Sequence, residues 1–494
     1  MAKQDRIVSN WLALARSFNY DIKAGGAAML ARARELFAND PYTKKIVRSF
    51  KKGIVGPDGF VLRNKAGEWQ SFGSEYKFIK DDLANGMINE AWYQYGVKKY
   101  CSVEEDETFR HYSGTLAQTV FVDGEVFIRK LAGKFNPYGF TTQLITSEQV
   151  DWKLIKSLPN GNFIIMGIEV TPYYKKIAYW VRKHSPKTEV DYGYTWTNNY
   201  DRIPADQMIH LFNKETVHQL RGITQLAPVG IRLKMLYQFE ESALTKALAS
   251  ARIPGVISKQ LNQNPLDGPG IQVDSKDGED NWLLELEDGQ YLKVKDGYEM
   301  KPMDSDYPHP LHKSFTDTNL HGVSAGVDMA YHTVASDYSQ VNYTSSRTAL
   351  LDERDGFKDS QSWFAENLLS PFFTAWLEMA IISGQLNLPI TKLEKFDKPY
   401  WIGRRWDWVD PRNEAEANII ALQSFQKTFE SVLAERGLDL DEQLQEVADE
   451  KQKFADKGLG DLYELLMTKY TAKDTGQPAP SNGNGKAYKE LHYQ

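Results

Sequence analysis

At 494 residues the chain exceeds what one hydrophobic core usually organises, so two or more packed units are expected. Apolar residues at 41% and charged residues at 25% exclude a wholly disordered or collagen-like chain. A net charge of −7 excludes a surface built mainly to grip DNA phosphates, which takes an excess of lysine and arginine, but permits nucleic acid to pass without sticking.

Cys101 is the only cysteine, so no intrachain disulfide and no cysteine zinc site can be assembled within one chain. No stretch approaches the roughly 18 to 20 apolar residues of a membrane span, and the start MAKQDRIVSNWLALARSFNYD lacks a signal-peptide core. A soluble, cytosolic chain with no membrane partner is expected.

From Ala27 to Lys52 the pattern predicts two helices divided at Asp40-Pro41, because the residue before proline is pushed from helical angles. In the second, Lys44, Lys45, Arg48, Lys51 and Lys52 share one face and Ile46, Val47, Phe50 and Ile54 the other, the pattern of a solvated face over an apolar stripe. Residues 114–212 carry short apolar runs such as TVFVDGEVFIRKL, NFIIMGIEV and KIAYWVRK, which predict a β-rich domain with a hairpin turn at Asp123-Gly124.

A long helix carrying Ile231, Met235, Phe239 and Leu244 is expected from Pro228 to Arg252, where Pro254-Gly255 ends it. A glycine- and aspartate-rich insertion follows, then a second helix from Leu311 to Val334. Trp363 to Ser383 predicts an apolar helix interrupted by Pro371 and closed by Gly384. Asp410 and Pro411 open a further helix, with Ile419, Leu422, Phe425, Phe429 and Val432 at helical spacing as far as Gly437. Asp439 and Glu442 resemble a capping box for a last, acidic helix, and DTGQPAPSNGNG from Asp474 has the composition of a flexible tail.

Three motifs invite a chemical reading. Gly322-Val323-Ser324-Ala325-Gly326 matches the G-x-S-x-G nucleophile elbow of serine hydrolases, but KSFTDTNL before it is no apolar strand, and only His332 and His492 follow as possible bases. His309 and His312, with Asp304 and Asp306 upstream, invite a metal site, but Pro308 and Pro310 favour an extended loop over the i, i+4 spacing of helical ligands. Trp401, Trp406 and Trp408 around Arg404 and Arg405 can stack on bases, though core or interface packing is the simpler reading. Neither G-x-x-x-x-G-K-[ST] nor G-x-G-x-x-G occurs, so no nucleotide cofactor is expected, and DNA translocation would draw its energy from a partner.

The run Asp337-Tyr338-Ser339-Gln340-Val341-Asn342-Tyr343-Thr344-Ser345-Ser346-Arg347 closely resembles the D-Y-S-x-x-N-Y-S-S-x-R signature of the lambda-like family of phage portal proteins. RARELFANDPYTKKIV, DGEVFIR, QLITSEQVD, IPADQMIHLF, RGITQLAPV, WVDPRNEAEA and LAERGLDLDE resemble that family in the same order, over most of residues 27–455. Thr344 departs from the usual serine, and Gly326-Val327-Asp328 replaces the family's glycine, aliphatic residue and proline.

The resemblance implies an α+β portal-type subunit that is structural and not an enzyme, with neither metal nor cofactor. It implies a wing over residues 1–228, stem helices at 229–252 and 311–334, a small α/β clip at 253–310, channel loop and wing at 335–410, a helical crown at 411–473 and a tail at 474–494. Such subunits close into a ring, typically of twelve, at one capsid vertex of the virion after assembly in the host cytoplasm. The implied partners are double-stranded DNA, the large terminase subunit, the major capsid protein and head-tail adaptor proteins. Asp337, Tyr338, Ser339, Gln340, Asn342, Tyr343, Ser345, Ser346 and Arg347 are then expected to line the channel or a subunit interface.

Overall fold

The computed structural model describes residues 16–72, 75–183, 199–252, 255–259, 298–302, 311–339, 343–406, 411–438 and 440–465. The chain divides into two compact units, Met1–Arg404 and Arg405–Gln494.

In the first unit, helix α1 (Phe18–Asn39) stops and α2 (Pro41–Ile54) starts at the expected place. The Asp40 carboxylate accepts from the Thr43 N–H at 2.6 Å, and Pro41 occupies the first turn, where its missing N–H costs nothing. Helix α1 begins nine residues before the expected Ala27. Gly25-Gly26 reads as a breaker in isolation, yet a Cβ at Gly26 would lie 2.5 Å from the Trp152 ring, so close packing selects glycine inside the helix. Ile46, Val47 and Ile54 of α2 are fully buried, as their stripe predicts.

Strands β1 (Val61–Asn64), β2 (Gly67–Phe72) and β3 (Glu75–Lys80) precede α3 (Asp82–Val97) and α4 (Phe109–Asp123). The expected hairpin at Asp123-Gly124 is corrected here. TVFVD is the end of α4, and Gly124, at φ 88°, caps it by donating its N–H to the Val120 carbonyl at 2.9 Å. The β-branched run tolerates the helix because Val120, Phe121 and Val122 are all buried, so tertiary packing outweighs propensity.

The β-rich region follows as β4 (Glu125–Ala132), β5 (Phe140–Ile145), β6 (Ile155–Ser157), β7 (Phe163–Ile165), β8 (Ile168–Val170), β9 (Lys176–Arg182), β10 (Tyr200–Pro204) and β11 (Met208–Phe212). A three-stranded sheet has the order β11-β4-β5, and a five-stranded antiparallel sheet runs β10-β9-β8-β7-β6. Phe127, Val150, Ile168, Tyr179 and Ile203 fill the core between them, with Ile22 of α1.

Helix α5 (Gly230–Arg252) and strands β12 (Gly255–Lys259) and β13 (Tyr298–Pro302), which pair antiparallel, lead to α6 (His312–Val327) and α7 (Tyr331–Ala335). The single helix expected over 311–334 is therefore broken. Asp328 takes the left-handed conformation at φ 54° and ends α6, a role open to aspartate where most side chains are excluded.

Helix α8 (Tyr343–Phe364) passes through a π-helical turn at Ala365–Leu369 into α9 (Ser370–Ile382). The wider turn admits Pro371, so the expected interruption becomes a bulge and the apolar helix continues. Phe372, Phe373 and Trp376 of α9 pack with Trp92 and Tyr95 in an aromatic core. Short α10 (Leu393–Phe396) and β14 (Pro399–Ile402) complete the unit, β14 pairing with β1.

The second unit contains α11 (Pro411–Gln423), α12 (Phe429–Glu435) and α13 (Leu440–Asp456). The continuous helix expected as far as Gly437 breaks between α11 and α12. Phe425 stands at φ 57°, and Thr428 starts α12 by accepting from the Ser431 N–H at 3.1 Å. Asp410 and Asp439, the expected caps, lie outside the described residues. Helices alternating with antiparallel sheets make the chain α+β.

Candidate functional site

Helices α5 and α6 form an antiparallel pair. Phe239 packs on Phe315 at 4.8 Å and stacks on His312 at 5.4 Å, while towards the other end Arg232 faces Gly322 and Val229 faces Gly326. A Cβ at Gly326 would lie 2.3 Å from Val229 Cγ1, so glycine there allows this close approach, whereas a Cβ at Gly322 would meet only the movable end of the Arg232 side chain. Packing thus accounts for Gly326 of the G-x-S-x-G pattern without any chemistry. Ser324 is buried in the last turn of α6, and its hydroxyl donates to the Met329 carbonyl, clamping the turn that follows. The nucleophile-elbow reading is thereby corrected, since Ser324 sits on neither a strand nor a sharp turn.

His312 lies in this helix pair, stacked on Phe239, while His309, Asp304 and Asp306 fall outside the described residues. Among the described residues no group of three His, Cys, Asp or Glu is placed to hold a metal ion. Trp401 is a packing residue of β14, 5.5 Å from Trp92, with its indole N–H donating to Ser370 Oγ at 3.2 Å. Trp406 belongs to the second unit and Trp408 lies outside the described residues.

The signature run starts at the end of α7, where Ser336 is left-handed at φ 56°. The Asp337 carboxylate accepts from the Ser339 N–H at 2.9 Å and lies 3.8 Å from Lys313 of α6. Those contacts, the Ser339 N–H first, hold its carboxyl below the usual range. Tyr338 is exposed, its ring 5.6 Å from that of His332. Gln340 and Asn342 lie outside the described residues, and Tyr343 is the first residue of α8.

Ser345 and Ser346 border a cleft of about 340 Å³ shared with Asp317 and His321 of α6, Tyr331 and His332 of α7, and Asp337. Arg347 follows one residue later on α8. In the cleft Tyr331 stacks on His321 at 4.0 Å and donates to Asp317 at 2.9 Å; burial, then this bond, raise its hydroxyl to about 12. Thr333 donates to the buried Glu353 of α8 at 2.9 Å, and burial pushes that carboxyl above its ordinary range. The structure thus brings the start of the signature and Ser345–Ser346 together against α6 and α7, an arrangement of hydrogen-bonding groups around a turn.

A second polar cluster was not singled out from the sequence. Glu125 is fully buried and accepts from Arg221 Nε at 2.8 Å, Ser147 Oγ at 2.6 Å, the Gly222 N–H at 2.8 Å and His210 Nε2 at 3.0 Å. Arg221 also donates to the carbonyls of Val150, Met166 and Ser147, each at 2.9 Å, and lies 3.9 Å over the Trp152 ring. Burial opposes ionisation of Glu125, but the Arg221 charge and the His210 bond outweigh it and hold the carboxyl far below its usual range. His210 accepts at Nδ1 from Lys176 at 3.0 Å, and burial, followed by the Lys176 charge, lowers its pKa to about 3. Beside this cluster Arg34 of α1 forks onto Asp123 at 2.9 and 2.7 Å and also meets Glu148. Its members lie in four separate segments that carry the family resemblance, Glu125 in DGEVFIR, Ser147 in QLITSEQVD, His210 in IPADQMIHLF, and Arg221 and Gly222 in RGITQLAPV.

These features define a class, an α+β subunit tied together by a buried ionic cluster, with its signature at a turn between helices. The chain belongs to the lambda family of phage portal proteins, whose family model matches residues 4–361. It is 26% identical to a protein of Halomonas phage phiHAP-1 named "Probable portal protein", over 94% of this chain and 88% of that one. It is 21% identical to the portal protein of Escherichia phage N15, over 86% of each chain. Portal protein B of Escherichia phage lambda is 22% identical, over 86% of this chain and 85% of that one. Among solved structures, the neck of an empty gene transfer agent particle aligns at 12% identity and a TM-score of 0.42, over 88% of this chain and 98% of that one.

Proposed function

We propose that the chain closes into a ring, of twelve copies by the family's habit, that forms the passive DNA channel of a capsid vertex during packaging and ejection. Family membership supports this reading, and one structural observation carries it. Ile231, Met235, Leu244 and Leu248 of α5 are all more than half exposed in the isolated subunit, a helix of 23 residues bearing apolar side chains with nothing over them among the described residues. A heterologous ring contact covers such side chains, one face of each subunit meeting a different face of the next.

In this reading the regions expected from the sequence keep their parts: wing at 1–228 and 335–410, stem at 229–252 and 311–334, clip at 253–310 and crown at 411–473. Ser339, Gln340, Asn342, Tyr343, Ser345 and Ser346 meet DNA or the neighbouring subunit through uncharged hydrogen-bonding groups that do not capture phosphates firmly, with Asp337 and Tyr338 at the start of the run, and Arg347 pairs with an acidic residue of the neighbour. The net charge of −7 suits a channel that releases its DNA. Terminase and adaptor proteins dock on the clip, and the capsid protein meets the wing. Heads assembled without the protein are expected to hold no nuclease-protected DNA, with the chain supplied in trans restoring it; protected DNA in its absence contradicts the reading.

A further inference from the structure

We propose that the cleft between β9, β11, residues 213–220 and the π-helical turn binds a phosphate-type dianion, held by Lys176 and Lys214. The cleft has a volume of about 560 Å³, and no carboxylate is among its lining residues. Lys176 spends one of its three donors on His210 Nδ1 at 3.0 Å and lies 4.6 Å over the Phe212 ring. Since Nδ1 accepts, His210 is neutral and brings no charge to the cleft. Glu125, the nearest anion in the chain of hydrogen bonds, is already bound by Arg221 and His210. Lys176 and Lys214 therefore leave two positive charges facing the cleft, with the Asn213 amide beside them.

The rim is preorganised. Tyr174 and His218 hold left-handed backbones, at φ 63° and 62°, and stack on each other at 4.3 Å. The His218 carbonyl is fixed by the Asn19 amide at 2.8 Å. Left-handed backbone at bulky residues persists where the surrounding structure enforces it, and such sites cluster at ligand clamps. With Trp363 this stacked pair gives the cleft aromatic walls above a cationic floor.

A phosphate monoester or inorganic phosphate carries a charge of about −1.5 to −2 and three acceptor oxygens, enough to neutralise both lysines, whereas a carboxylate leaves one uncompensated. Burial, the main cause, and the Lys214 charge push the Lys176 ammonium down to about 8, an effect that a bound dianion reverses.

The test is calorimetric titration of the full-length protein with inorganic phosphate and, separately, with thymidine monophosphate, against sodium chloride at matched ionic strength. Saturable phosphate binding is expected, weakened about tenfold or more in Lys214→Ala through loss of a charge-assisted contact, and abolished in Lys176→Met. Lys214 is exposed, so its variant keeps the test valid if Lys176→Met does not fold. Tighter binding of the nucleotide identifies a nucleotide phosphate as the ligand, and equal binding identifies free phosphate; both uphold the site. Heat no different from the chloride control, or undiminished binding in Lys214→Ala, overturns it.

Discussion

Arg221 donates from Nε to the Glu125 carboxylate at 2.8 Å, and neither side chain reaches solvent. The pair joins the start of β4 to the segment before α5, 96 residues later, and the remaining donors of Arg221 reach the Ser147, Val150 and Met166 carbonyls. One guanidinium thus ties the connection after α4, the turn at Ser147–Gln149 and both sheets.

Arg221→Met should leave Glu125 buried and without its counter-charge, lowering unfolding free energy by about 3 to 5 kcal/mol. Arg221→Lys should recover only part of this, because an ammonium cannot reproduce the fork of donors. Urea denaturation followed by tryptophan fluorescence measures both; a loss under about 1 kcal/mol for Arg221→Met contradicts the assignment.

His210 sets an acid limb on stability. Its pKa falls from 6.5 to about 3 on folding, so below pH 6.5 the unfolded chain takes up a proton that the folded chain refuses, and stability declines as pH falls. Glu125, also depressed, adds a decline of the same sign below 4.5. Between pH 6.5 and 4.5, His210→Gln should remove a slope approaching about 1.4 kcal/mol per pH unit. Lys176, Arg221 and Glu125 face the ring and remain in the variant, so an unchanged slope would show that His210 titrates normally.

At the helix crossing the two glycines should respond differently. In Gly326→Ala the new methyl meets the branched Val229 side chain, and about 1 to 3 kcal/mol of destabilisation is expected. In Gly322→Ala it meets the far end of Arg232, which can swing aside, while helix propensity improves by up to about 1 kcal/mol, so the net effect is near zero or stabilising. Ser324→Ala should cost about 1 kcal/mol, one buried hydrogen bond. Thermal melts of the three variants check the order, and equal losses at both glycines would contradict the packing described.

Replacing both Ile231 and Met235 with glutamate should leave the fold intact, since the two are 72% and 66% exposed in the subunit. Assembly should fail, because a ring contact would bury the new charges. Sedimentation velocity separates the outcomes: a folded monomer is expected, and assemblies matching the parent protein would exclude this face from the contact.

What the sequence made legible was local. Asp40-Pro41 marks a helix boundary from its own chemistry, and the stripe Ile46, Val47, Phe50 and Ile54 announces a buried face. Asp123-Gly124 misleads because the same dipeptide serves a hairpin turn or a helix C-cap, and burial of Val120 to Val122 by distant elements decides between them. Asp328 and Phe425 break expected helices through left-handed turns that no glycine or proline signals. The signature run was legible as a resemblance, but its juxtaposition with Asp317 and His321 depends on how α6 and α7 pack. The Glu125 cluster was invisible to local pattern because its members come from four separate segments.

Electron microscopy of the purified full-length protein tests the central claim most directly. Closed rings with a central hole wide enough for duplex DNA are predicted. Monomers or open filaments under every condition of salt and concentration would contradict a conduit.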